Sequence, residues 1–248
     1  MKIGCCGSVD QVQILSELGF EYIEPPVAAV ADEEFSRLAR ATEKYDLKPE
    51  VFNCFLPASL PVVGPDVNQV AICKYLNKVL PRIESLGGEV VVFGSGKARK
   101  IPQGFSRETA TNQLMIFLEM AVEAAGDRIR IVIEPLHQKQ TNLLNQVAET
   151  RKICEKMGWR VGILADLFHM TMEAEPIANL IPVSQLGHTH VPLPEETFAL
   201  DSFLDVLKSR RYGKRVSLED NSGLLARTPI EDHRRVLENA LEYIKGLN

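Results

Sequence analysis

Four short apolar runs in the chain end on residues that bind metals or move protons. Ile129-Arg-Ile-Val-Ile-Glu134 stops at Pro135, Val161-Gly-Ile-Leu-Ala-Asp166 ends on an acid, Ser184-Gln-Leu-Gly-His-Thr-His190 ends on two histidines, and Arg215-Val-Ser-Leu-Glu219 ends on a third acid. A short β-branched run bounded by proline reads as a buried strand. Any one of these termini is ordinary as a solvated strand end or an ion-pair partner. Four of them, each separated by a helical stretch, point to one site at one end of a parallel sheet. Three carboxylates and an imidazole suit a divalent ion that prefers oxygen and nitrogen donors. Mn2+ is the first choice, with Co2+ or Mg2+ as alternatives and Zn2+ less favoured without thiolates. Without a cation, acids facing one another there would repel.

The histidines divide by position. His188 and His190 lie two apart on one strand and so face the same side. His190, nearer the strand end, is the expected ligand. His188 is one layer deeper; it either orients His190, contacts substrate, or is a satisfied core histidine. His169 follows Asp166 by three residues and is expected to donate a hydrogen bond to substrate, the plainer alternative being a loop histidine packed by Phe168 and Met170. His137 is ambiguous, and His233, beside Arg234 and Arg235, reads as a surface residue.

These strand ends need a scaffold, and strand and helix signals alternate along the whole chain. Strands are expected near 2–6, 21–24, 47–53, 89–93, 129–134, 161–166, 184–190 and 215–219. Helices are expected near 10–18, 32–45, 65–86, 106–125, 141–157, 173–180 and 201–209. A last helix opens with Thr228-Pro-Ile-Glu231, which matches a capping box with proline at the first helical position. Eight strand–helix pairs without an intervening linker predict a single-domain α/β fold, a (β/α)8 barrel over residues 1–248. An open doubly wound sheet is the alternative, but Gly4-Cys-Cys-Gly7 has the wrong spacing for a dinucleotide fingerprint. In such a barrel the C-terminal strand ends form the active site.

Composition narrows the function classes. The chain has 248 residues, 45% hydrophobic and 25% charged, with a net charge of −5, so no bulk field favours nucleic acid. No apolar run is long enough to cross a membrane, and no signal-peptide pattern opens the chain, so a cytoplasmic location is expected. The five cysteines match no disulfide or CxxC pattern and read as reduced, mostly buried thiols. The expected partner is a small carbohydrate, with no nucleic acid and no membrane, and a homodimer or homotetramer is compatible with the chain.

The motifs also carry a resemblance. Ile133-Glu134-Pro135-Leu136 followed by Thr141-Asn-Leu-Leu-Asn145 resembles the corresponding strand and helix of the D-tagatose/D-allulose 3-epimerases. Leu164-Ala-Asp166-Leu-Phe-His169 resembles their metal aspartate and substrate histidine, Gly187-His-Thr-His190 their histidine pair, and Leu218-Glu219-Asp220 their last metal glutamate. The wider group is the xylose isomerase-like superfamily, which also holds hydroxypyruvate isomerases, inosose dehydratases and endonuclease IV. The resemblance implies one divalent ion held by Glu134, Asp166, His190 and Glu219. Two features depart from it. Gln140 stands where the epimerases have an acid, and no arginine lies in residues 191–197, where they carry one that binds the sugar. The loop 94–100, with Gly94, Gly96, Arg99 and Lys100, is expected to supply the missing cation, with Arg99 and Lys100 as substrate contacts.

That site suits abstraction of a proton next to a carbonyl through an enediolate, with Glu134 and Glu219 as the acid/base pair. Return of the proton to the opposite face gives an epimerase and return to the neighbouring carbon an isomerase. Loss of a β-hydroxyl gives a dehydratase or lyase on a keto-sugar, keto-inositol or 3-keto-glycoside. A DNA-repair nuclease of the endonuclease IV type would need histidines from early strands, and none precedes His137. A non-catalytic barrel would be expected to lose at least one of the four ligands.

Overall fold

The computed structural model describes residues 1–180, 182–193 and 198–246, and leaves out the side chains of Ala226, Ile230 and Glu231. Eight parallel strands form one sheet in the order β2-β1-β8-β7-β6-β5-β4-β3, with helices between them. The strands are β1 (Lys2–Cys6), β2 (Tyr22–Glu24), β3 (Val51–Phe52), β4 (Val90–Phe93), β5 (Arg130–Ile133), β6 (Gly162–Asp166), β7 (Leu186–Pro192) and β8 (Arg215–Glu219). The end strands β2 and β3 meet through the bridge Pro26–Asn53 and the bond from Ile23 N to Lys48 O, so the barrel is nearly closed.

Two apolar layers follow from the alternation of strand side chains. Tyr22, Val51, Val90, Val92, Val132 and Leu164 pack together as the barrel interior, while a much larger cluster fills the space between sheet and helices. The interior admits its bulky members because glycines face them. A Cβ on Gly4 would lie 2.3 Å from the Tyr22 ring, and one on Gly187 would lie 2.4 Å from a Val132 methyl. Gly187 is also the extra residue where the β6–β7 register shifts between Ile163 and Leu164, a β-bulge that sets the phase of His188 and His190.

The helices are α1 (Val12–Leu18), α2 (Ala28–Ala31), α3 (Glu34–Lys44), α4 (Gln69–Ser85), α5 (Arg107–Ala125), α6 (Val147–Lys156), α7 (Leu167–Met172), α8 (Leu200–Ser209), α9 (Leu224–Arg227) and α10 (Ile230–Gly246). Several boundaries differ from the sequence expectation; the helix expected from residue 65 starts at Gln69, and the strand expected over 47–53 spans only Val51–Phe52. The helix expected from residue 141 starts at Val147, because Asn145 Nδ2 donates to the carbonyls of Leu136 and Thr141 and holds 141–145 as a loop. Glu175 caps that helix, accepting from Val147 N and Ala148 N. The helix expected near 173–180 instead begins directly after Asp166. It stops before Ala174, whose φ is 49°, and only a 3-10 turn covers Ile177–Leu180. At Thr228 the hydroxyl donates to Leu224 O, and the expected partner Glu231 has no described side chain. Of the thiols, all free, only Cys5 and Cys154 are buried, Cys6 is half-buried, and Cys54 and Cys73 are exposed, against the expectation of mostly buried cysteines.

Candidate metal centre

The C-terminal ends of β5, β6, β7 and β8 bring Glu134, Asp166, His190 and Glu219 together. One ligand atom from each lies within 4.8 Å of all the others. A shell with donors about 2.1 Å from a central ion spaces them by at most about 4.2 Å, so a small contraction suffices. The strand register sets their level: Asp166 is opposite His190, and His190 opposite Ser217, two residues before Glu219.

Each side chain reaches the site for a local reason. Asp166 ends β6 and caps α7: its Oδ1 accepts from Phe168 N at 2.6 Å, while its Oδ2 is buried and has no partner. Burial, with Glu219 and Glu134 nearby, holds its carboxyl well above the usual range. Glu134 follows β5 and fits against β4 because residue 94 is glycine; a Cβ there would lie 2.2 Å from Glu134 Oε2. Burial raises the Glu134 carboxyl. Burial acts the same way on Glu219, but the neighbouring His190 outweighs it and holds that carboxyl below its ordinary value. Glu219 also accepts from Asn221 Nδ2 at 2.8 Å.

His190 is fully buried, and its two ring nitrogens have different surroundings. Nδ1 is 3.3 Å from Glu134 Oε1 and 3.4 Å from Glu219 Oε2, and Nε2 is 2.9 Å from Glu24 Oε1. His190 Nδ1 and Asp166 Oδ2 are both buried without a hydrogen-bond partner. Buried polar atoms seldom stay unpaired. Two orphans converging on two further carboxylates fit a divalent cation, with hard oxygen donors and one imidazole.

His169 lies beside this group, its Nε2 3.7 Å from Asp166 Oδ2. Its Nδ1 is 2.7 Å from His137 Nδ1 and accepts from His137 N at 3.4 Å, which leaves Nε2 to carry the ring hydrogen into the site. Burial lowers its pKa to about 3, so the ring is neutral. His137, ambiguous in sequence, is thus the group that orients His169. His233 is half-buried, its Nε2 2.7 Å from Leu225 O, rather than a free surface residue.

Two expected substrate contacts are placed elsewhere. Arg99 is completely buried: its guanidinium donates to the carbonyls of Glu134 at 2.6 Å and Phe93 at 3.4 Å, so it holds β4 and β5 together and does not reach solvent. His188 is also fully enclosed, one layer below His190, with Nε2 2.8 Å from Glu24 Oε2. Packing at the strand ends leaves neither side chain open to a substrate. Lys100, on the same loop as Arg99, is exposed. Of residues 191–197, where the family arginine is missing, 194–197 lie outside the described residues.

Glu24 is the residue that sequence reasoning missed. It ends β2, has no exposed surface, and accepts from both His188 and His190. The signal was available, since an acid at a strand end selected the other three carboxylates.

Comparison with known proteins agrees with this fold. The family model for the xylose isomerase-like TIM barrel matches residues 12–245. A D-allulose 3-epimerase from Methylomonas sp. superposes with a TM-score of 0.83 at 20% identity, covering 100% of this chain and 97% of that one. The 3-keto-D-glucoside 4-epimerase YcjR from E. coli gives 0.81 at 18% identity, covering 98% and 99%. A family 2 AP endonuclease from Brucella melitensis gives 0.75 at 16% identity, covering 89% and 93%. At such identities the likeness establishes the fold alone. No curated protein matches the chain in sequence. Among the described residues no helix is long and apolar enough to cross a membrane.

Proposed function

This chain belongs to the xylose isomerase-like TIM barrel family, and on that premise we propose that it is a divalent-metal-dependent sugar epimerase or isomerase. The observation that carries the reading is the convergence of the orphaned Asp166 Oδ2 and His190 Nδ1 on Glu134 and Glu219. When bound there, a divalent ion, Mn2+ in the first instance, polarises a sugar carbonyl and its neighbouring hydroxyl and so acidifies the carbon between them. Glu134 and Glu219 come from separate strands, β5 and β8, and flank His190 on its Nδ1 side. One takes the proton from that carbon and the other returns it. His169, neutral and with Nε2–H directed at the site, donates to a substrate oxygen. Lys100, exposed like Lys97 on the loop 94–100, is the expected contact for an added carboxylate, phosphate or glycosidic group.

The experiment is a panel of ketoses, 3-keto-glycosides and keto-acids incubated with the protein and Mn2+ in D2O, read by NMR. Deuterium should enter the substrate at the carbon beside the carbonyl. Glu134→Gln and Glu219→Gln should each slow that exchange by roughly 10²–10⁴-fold and weaken ion binding far less. Product formed with no exchange at any carbon would sink the reading, and net loss of water would replace it with a dehydratase.

A further inference from the structure

Beneath the proposed metal ligands lies a closed chain of buried polar groups that the reaction outlined above does not use. Tyr22 Oη is 2.8 Å from Ser217 Oγ, and Ser217 Oγ donates to Glu24 Oε2 at 2.5 Å. The serine has one hydrogen and gives it to the carboxylate, so Tyr22 is the donor in the first bond. His188 Nε2 reaches the same Oε2 at 2.8 Å, and His190 Nε2 reaches Oε1 at 2.9 Å. Glu24, His188, His190 and Ser217 are each 0% exposed.

An isolated carboxylate at that depth would be strongly disfavoured. Here three groups from β7 and β8 surround it, Ser217 Oγ and His188 Nε2 on Oε2 and His190 Nε2 on Oε1, the contacts of a carboxylate that accepts on both oxygens. An ionised carboxylate only accepts. Each histidine must therefore place a hydrogen on Nε2, and for His190 the ring face directed at Glu134, Asp166 and Glu219 is then the Nδ1 side.

We propose that Glu24 is a positioning residue for the metal centre, fixing His190 in the Nε2–H form so that its Nδ1 lone pair is presented to the ion. His188 shares the carboxylate and keeps it from rotating away. The same bond makes His190 a more basic ligand, as carboxylate–histidine–metal arrangements do. This inference rests on the metal site proposed above and concerns ligand geometry rather than the substrate.

A glutamine at position 24 tests it, because an amide has one accepting oxygen and one donating nitrogen. It can satisfy only one of the two Nε2–H groups and must force the other ring to change its form. Mn2+ affinity of the metal-free protein, measured by EPR of free Mn2+, should fall about 10- to 100-fold in Glu24→Gln. Ser217→Ala, which keeps both histidine bonds, should cost less. The wild-type protein supplies a second readout if the variant does not fold. With Zn2+ bound, two-dimensional 1H–15N spectra of the imidazole rings should show His190 ligated through Nδ1 and protonated at Nε2. Ligation through Nε2, or wild-type affinity in a folded Glu24→Gln, overturns the inference while leaving the metal site standing. A wild-type protein that takes up no divalent ion overturns the site reading itself.

Discussion

Arg99 donates to the backbone carbonyl of Glu134 at 2.6 Å from a position with no solvent exposure. A guanidinium buried this way binds two strand ends at once, Phe93 of β4 and Glu134 after β5. Burial brings its pKa down to about 10, opposed by the Glu134 carboxylate, so it stays charged at neutral pH. The loop 94–100 is therefore built around an internal clamp, and its exposed cations are Lys97 and Lys100.

Arg99→Ala should act on stability. It removes bonds from a charged donor and leaves the Glu134 carbonyl without that partner, a cost of roughly 1.5–3 kcal/mol. Arg99→Lys should recover only part of it, because an ammonium lacks the planar fork. Urea unfolding of the three proteins checks this. An Arg99→Ala protein as stable as wild type, with only its KM raised, would restore the substrate-contact role expected from sequence.

Removing the ion should loosen the fold. Dialysis against a chelator should lower the melting temperature, and divalent ion at about 100 times its Kd should restore about 2.7 kcal/mol. Asp166→Asn should weaken that response without unravelling α7, since asparagine also caps helices. If Asp166→Asn and His190→Ala both bind the ion as tightly as wild type, the four-ligand assignment is wrong.

Gly94→Ala addresses the approach of β4 to the site. The added methyl would meet Glu134 Oε2 at 2.2 Å, so the carboxylate must move, while no unusual φ at Gly94 requires glycine. A displacement of about 1 Å at a catalytic group costs on the order of 10²-fold in rate. Deuterium exchange into the best substrate should fall by that order with little change in the melting curve. Unchanged exchange would show that Glu134 does not act from the position described.

Far from the site, Glu50 ties the N-terminal ends of three strands. It accepts from Lys2 Nζ at 2.7 Å and Arg215 Nε at 2.5 Å, and Arg215 also reaches Glu89. Burial alone would raise the Glu50 carboxyl, but Lys2 and Arg215 together lower it below 4.5. A carboxyl lowered in the folded state stabilises fully above its unfolded pKa and loses that contribution as pH falls through the folded value. Glu50→Gln should therefore cost roughly 1.5–3 kcal/mol near neutral pH, and the two proteins should converge in stability as pH drops below about 4.5. A gap that persists in acid would assign the effect to packing.

The order of elements and the level of the site were legible in the sequence because both are local properties. Alternation within 129–134 places Arg130, Val132 and Glu134 on one face, and eight strand–helix pairs leave few ways to arrange a parallel sheet. Those constraints put Glu134, Asp166, His190 and Glu219 at one barrel mouth. What a side chain touches once there depends on strands distant in sequence, and only the tertiary structure decided it. Arg99 turned inward, where the carbonyls of Glu134 and Phe93 accept from its guanidinium; in sequence it is one cation in a glycine-rich loop. His188 and His190 acquired their roles from Glu24, 164 and 166 residues away, which β2 reaches through β1 and β8. A strand's period tells which face a residue takes, and the closure of the barrel decides which partner waits on that face.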